Sequence, residues 1–159
     1  MELTSRSPEE TERLGLLLAG LLRGGELICL VGELGAGKTV FVRGLAAGLG
    51  CAPGEVASPT YVLERVYAGR ELDLRHLDAY RLSGAEEFEA SDLGAALGDG
   101  SAVTAVEWAD RVDDALPAER LTLTFEPAAD DERRIRASAA GARHRELLAA
   151  FAGAAGTRP

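Results

Sequence analysis

The sequence predicts an α/β fold: a single P-loop NTPase-like domain, its central mainly parallel or mixed sheet flanked by helices and carrying β-hairpins. Three observations lead there. Short apolar runs of strand length alternate with segments of helical period along the chain. One strand-to-helix junction, Gly32-Glu33-Leu34-Gly35-Ala36-Gly37-Lys38-Thr39, satisfies the G-x-x-x-x-G-K-[ST] pattern of a phosphate-binding loop. A second buried-strand candidate runs directly into an acid, Glu107.

Each element has a local reason. Ser7-Pro8-Glu9-Glu10 starts a helix with a serine cap, a proline in the first turn and a glutamate three residues after the cap. Leu14, Leu17, Leu18, Leu21 and Leu22 give it one apolar stripe for packing on the sheet, and Gly24-Gly25 ends it. Its polar N-terminal residues could then lie near a nucleotide base. Residues 26–31 form an apolar run that reads as a buried strand. Residues 40–49 follow the glycine loop as a helix, with Phe41, Val42, Leu45 and Leu49 at helical spacing and Gly50 as the stop. After a loop over 51–59, residues 61–67 and 72–77 flank Ala68-Gly69-Arg70-Glu71 as a hairpin.

Ser83-Gly84-Ala85-Glu86 repeats the cap pattern and opens a helix toward Gly98, where Asp99-Gly100 turns the chain. Residues 102–106 are the second buried strand. Residues 110–116 make a short helix ended by Pro117. A second hairpin pairs 121–125 with 133–137, and a helix over 141–152 carries Leu147, Leu148 and Phe151. The domain spans 1–152, and 153–159 form a frayed tail.

Strand, glycine loop and helix aim successive backbone N–H groups and a helix N-terminus at phosphate oxygens. Lys38 would reach the β- and γ-phosphates, and the Thr39 hydroxyl would ligate Mg²⁺. Lys38 is the only lysine in a chain with sixteen arginines, so an ammonium stands where nucleotide chemistry needs a compact charge. Glu107 occupies the place of a Walker B acid, the alternative being a polar residue that merely ends a strand. Asp78 follows the 72–77 strand, and alternation puts it on one face with His76. That Asp78 could also simply start a turn, and His76 could equally be a core histidine. Ser58-Pro59-Thr60-Tyr61 is either an ordinary turn before a strand or a loop that closes over a γ-phosphate, with Thr60 offering a hydroxyl. Trp108 is either a strand-end anchor or an aromatic contact for the nucleotide or a partner.

Composition narrows the function. The chain is 47 % apolar over 159 residues, enough for one core. A phosphate backbone calls for a concentrated basic face, so with a net charge of −9 the chain is a poor candidate to grip nucleic acid alone. Arg133, Arg134, Arg136, Arg143 and Arg145 are expected to form a solvated surface. Cys29 and Cys51 lack metal spacing and read as free thiols. With no stretch of membrane-span length and no signal-peptide pattern, a cytoplasmic location is expected. The chain has no Asn and no Gln, which removes both an Asn-Lys-x-Asp guanine reader and a water-orienting glutamine. ATP is favoured over GTP, with slow unaided hydrolysis.

The phosphate loop, Ser58-Pro59-Thr60-Tyr61, His76-Leu77-Asp78-Ala79-Tyr80-Arg81-Leu82 and Val106-Glu107-Trp108 follow one another in the order and spacing of the TsaE (YjeE) family. Residues 7–140 resemble that family. The resemblance implies a small ATPase that binds ATP and Mg²⁺ and supports a TsaB–TsaD heterodimer forming N6-threonylcarbamoyladenosine at position 37 of tRNA. TsaD-like and TsaB-like subunits would be its partners, with tRNA met only through the complex and the transfer step performed by TsaD. It further implies a nucleotide site of Gly32, Glu33, Leu34, Gly35, Ala36, Gly37, Lys38, Thr39, Thr60 and Trp108. Mg²⁺ would be held by Thr39 and Glu107, with Asp78, Glu107 and Lys38 as catalytic residues. Two departures are Ala109, where the family often has proline, and Leu77, where it often has an aromatic residue.

Two other uses of the loop stay open. A small-molecule or nucleoside kinase would need an arginine-bearing lid and an acceptor pocket; the sequence offers no lid-like segment, although Arg65, Arg70 and Arg81 could be mistaken for one. A nucleotide-gated binding module would need no chemistry.

Overall fold

The computed structural model describes residues 1–52, 56, 63–91, 93–94, 97–129 and 131–156. Among these, seven strands form one sheet: β1 (Glu2–Ser5), β2 (Leu27–Val31), β3 (Glu64–Tyr67), β4 (Asp73–Asp78), β5 (Ala102–Glu107), β6 (Leu121–Pro127) and β7 (Arg133–Ala139). Their order is β1-β7-β6-β2-β5-β4-β3. The three central pairings, β6 with β2, β2 with β5 and β5 with β4, are parallel, and the outer ones are antiparallel. The helices are α1 (Pro8–Ala19), α2 (Lys38–Leu49), α3 (Ala85–Ala90) and α4 (Ala142–Ala154), with a 3-10 helix over Ala109–Ala115. This is the α/β architecture with two hairpins that the sequence predicts.

Alternation along the buried strands builds two cores. Ile28 and Leu30 join Leu14, Leu18, Phe41, Leu45 and Phe151 of α1, α2 and α4 on one face. Leu27 and Cys29 join Leu77, Phe88 and Val112 on the other. The pleat sends successive side chains to opposite faces, so a parallel strand covered on both sides is apolar throughout. Cys29 and Cys51 are both buried free thiols, and burial pushes the Cys29 thiol up to about 12. No helix among the described residues is long and apolar enough to cross a membrane.

Several boundaries differ from expectation. α1 is capped as predicted, with Ser7 Oγ accepting the Glu10 N–H at 3.2 Å, but it ends at Gly20 rather than Gly24. Leu21 and Leu22 instead donate three residues back, to Leu18 and Ala19, so the last turn tightens before the chain leaves. α3 starts one residue later than the serine cap implies, because Ser83 donates through both N–H and hydroxyl to Glu87. It stops at Ala90, where Ser91 Oγ donates to the Phe88 carbonyl and competes with helix continuation. α4 runs to Ala154, two residues past its expected end. β1 has no counterpart in the expectations: four residues carry too little pattern, and pairing with β7 makes it a strand. Three members of the basic cluster make ion pairs: Arg134 and Arg136 with Glu2, Arg136 with Glu126, and Arg143 with the buried Glu26.

One tie between α4 and β2 makes stability depend on pH. The Leu27 N–H donates to Nε2 of buried His144 at 3.2 Å, which requires an unprotonated Nε2. Burial holds the imidazole below its ordinary value of 6.5; Glu26 and Glu119 oppose the shift and Arg143 adds to it. Between the lowered value and 6.5 the unfolded chain binds more protons than the folded one, so stability falls as pH drops through that window. Thermal melts at stepped pH should show this loss in the wild type and a flatter profile in His144→Gln. An unchanged slope in the variant would remove His144 as its source.

Candidate nucleotide-binding site

The site lies where β2 hands over to α2. Gly32 takes φ +142, Gly35 +77 and Gly37 +108, backbone conformations that a Cβ disfavours. Gly32 is also pressed against β6, since a Cβ there would stand 2.5 Å from the Phe125 carbonyl oxygen. α2 begins at Lys38 with Gly37 as its cap residue and no side-chain cap, so the N–H groups of its first turn are left for a ligand. Gly35 to Val40 line a small open concavity at this helix end.

Lys38 is buried although charged. Its Nζ donates to the carbonyl oxygens of Gly32 and, at 2.9 Å, of Glu33, and it sits 3.9 Å from the centre of the Trp108 ring. Burial lowers the ammonium's pKa, while the carboxylates of Glu107, Asp78, Asp110 and Glu33 oppose that shift. A cation held among acids and carbonyls is ready to exchange those partners for phosphate oxygens.

β5 lies parallel to both β2 and β4, and its last residue, Glu107, is level with Leu30 on one side and Asp78 on the other. Both acids are buried. Thr39 Oγ1 donates to the Glu107 carboxylate, 2.8 Å from Oε1 and 3.1 Å from Oε2. His76 Nε2 meets the same Oε1 at 2.8 Å. Asp78 Oδ1 accepts the Tyr80 N–H at 2.8 Å, so the turn-starting contact and a place beside the acid coexist. Trp108 takes φ 57 and ψ 38, a left-handed conformation that costs a non-glycine residue about 1 kcal/mol or more. That turn lays its ring over Lys38 and 5.0 Å from the ring of Tyr80.

The structure thus brings together Lys38, Thr39, Asp78, Glu107 and Trp108 around the loop of Gly32, Glu33, Leu34, Gly35, Ala36 and Gly37. Thr60 lies outside the described residues. One hydroxyl and one carboxylate in contact form a hard-oxygen pair suited to Mg²⁺, which takes one or two protein ligands where phosphates supply more. Among the described residues no cluster of three or more His, Cys, Asp or Glu could hold a metal alone.

Sequence reasoning missed a second concavity beside the loop, lined by Pro8, Thr11, Gly35, Gly37, Val40, Asp131 and Arg133. The capping pattern hinted at its α1 wall. The β6–β7 turn that supplies Asp131 and Arg133 is remote in sequence and carried no sign of it.

Comparison with known proteins bears on the family and the fold. A family model described as threonylcarbamoyl adenosine biosynthesis protein TsaE matches residues 5–135. A Bacillus subtilis protein named tRNA threonylcarbamoyladenosine biosynthesis protein TsaE is 41 % identical over 142 residues, covering 89 % of this chain and 87 % of that protein. Like-named proteins of Treponema pallidum and Streptomyces coelicolor are 43 % and 45 % identical over 136 and 137 residues. They cover 85 % and 82 % of this chain, and 98 % and 90 % of their own lengths. The crystal structure of Bacillus subtilis YdiB superposes with a TM-score of 0.77 at 33 % identity, covering 96 % of this chain and 94 % of that one.

Proposed function

We propose a specific role for this chain, which belongs to the TsaE family and so to tRNA threonylcarbamoyladenosine biosynthesis: it binds Mg·ATP, hydrolyses it slowly, and supports a TsaB–TsaD-like pair. The observation that carries this reading is the contact of Thr39 and Glu107 beside Lys38, joining a phosphate loop to an acid 68 residues away.

In this reading the first-turn N–H groups of α2 and Lys38 bind the phosphates, and Thr39 with Glu107 holds Mg²⁺. Bound Mg²⁺ would neutralise charge building on the β- and γ-phosphates. Asp78, level with Glu107, orients the attacking water, and Trp108 screens Lys38 from solvent. The base enters the concavity of Pro8, Thr11 and Arg133, where a proline face and a guanidinium offer stacking surfaces. Turnover is slow because the chain has no glutamine to position water. Its acidity suits a protein partner, with tRNA met only through the complex and the cytoplasm as its setting.

The experiment is ATP turnover alone, with a TsaB–TsaD-like pair, and across a nucleoside panel. Partner-stimulated hydrolysis is expected, and acceptor-dependent phosphorylation would replace this reading with a kinase. Glu107→Ala should lower turnover at least about 10-fold and weaken its Mg²⁺ dependence, because it removes half of the metal's protein donors. Unaltered turnover in that variant would strip Glu107 of its role.

A further inference from the structure

We infer that His76 is a positioning residue for the metal-binding acid: its ring fixes Glu107 so that the carboxylate meets Mg²⁺ together with Thr39. Since Glu107 meets the metal only in the Mg·ATP reading, this role for His76 stands on that reading.

His76 lies inside β4, opposite Ala105 of β5, and has no solvent exposure. Its Nε2 is 2.8 Å from Glu107 Oε1. An ionised carboxylate only accepts, so Nε2 is the donor in this bond. Among the described residues the other ring nitrogen, Nδ1, is buried with no hydrogen-bond partner. A histidine kept for packing alone would leave two polar nitrogens dry, at a cost an apolar ring would avoid. The hydrogen bond of this one goes instead to the acid that touches the phosphate loop.

The consequence is geometric. Oε1 takes both the His76 bond and the shorter Thr39 contact, which fixes the carboxylate plane. Oε2, 3.1 Å from Thr39 Oγ1, becomes the oxygen offered to a cation. A flexible glutamate without this support would lose side-chain freedom at the moment of metal binding, and affinity would fall accordingly.

The test is a Mg²⁺ titration of the ADP complex followed by Trp108 fluorescence, with ADP affinity also measured in EDTA. His76→Leu fills the space without a donor. His76→Gln places an amide N–H near the reach of Nε2, and His76→Asn stops short of it. Expected are half-saturating Mg²⁺ raised about 10-fold in His76→Leu and His76→Asn, near-normal values in His76→Gln, and unchanged metal-free ADP affinity in all three. If His76→Leu does not fold, the contrast between Asn and Gln decides. Equal Mg²⁺ dependence in Asn and Gln, or ADP affinity lost equally with and without metal, overturns the assignment. A wild type that binds no ADP, or binds it without regard to Mg²⁺, overturns the Mg·ATP reading itself.

Discussion

Lys38→Ala should abolish measurable ATP affinity while leaving the protein folded. The Lys38 ammonium is the compact cation of the phosphate loop, held by two loop carbonyls and the Trp108 ring. Charge-assisted hydrogen bonds contribute about 1.5–3 kcal/mol each, so losing those to two phosphates weakens binding by more than about 100-fold. The fold should tolerate the change, because burial already disfavours the charged form of this side chain. Removing it deletes a desolvated charge, and the Glu33 carbonyl keeps its bond from the Ala36 N–H at 3.1 Å. Lys38→Arg should fail as well, since a planar fork cannot fill the place of a point charge enclosed by Gly32, Glu33 and Trp108. Calorimetry with parallel thermal melts checks both halves. Affinity within a few-fold of wild type would contradict the role of Lys38, and a collapsed melt would mean the lysine is structural.

Gly44→Leu should have the largest effect on stability. α1 and α2 cross at small residues: a Cβ on Gly44 would stand 1.9 Å from the Glu12 carbonyl oxygen, and one on Gly15 would stand 2.2 Å from that of Phe41. Both obstacles are backbone, so no side chain can move aside. Overpacking usually costs about 1–3 kcal/mol, and here the whole helix pair must separate, so more than about 3 kcal/mol is expected. In a domain of this size that lowers the melting temperature by about 10 °C or more. Separation also displaces the start of α2, so nucleotide affinity should fall with stability. An unshifted melt would show that the crossing relaxes more easily than the backbone contacts imply.

The site was legible where chemistry forces local pattern. The glycines at 32, 35 and 37 announced themselves because φ and close approach to Phe125 leave few alternatives, and Glu107 because an acid ends an apolar run. What escaped was set by distant pairing. β1 becomes a strand only against β7, and the wall supplied by Asp131 and Arg133 exists only because β6 and β7 fold back beside the loop. His76 was ambiguous because alternation gives a face, not a partner; its partner is on the neighbouring strand. The early end of α1 and short α3 are boundary effects, in which local bonds from Leu21, Leu22 and Ser91 outcompeted the periodic signal.

The most direct test of a triphosphate held between the Gly32–Thr39 loop and Glu107 is calorimetric titration of ATP, in Mg²⁺ and again in EDTA. Expected are saturable heat in Mg²⁺, weaker binding in EDTA, and poorer binding of GTP than of ATP. No heat from ATP in Mg²⁺, or a Mg²⁺ enhancement of affinity in Glu107→Ala as large as in the wild type, would contradict it.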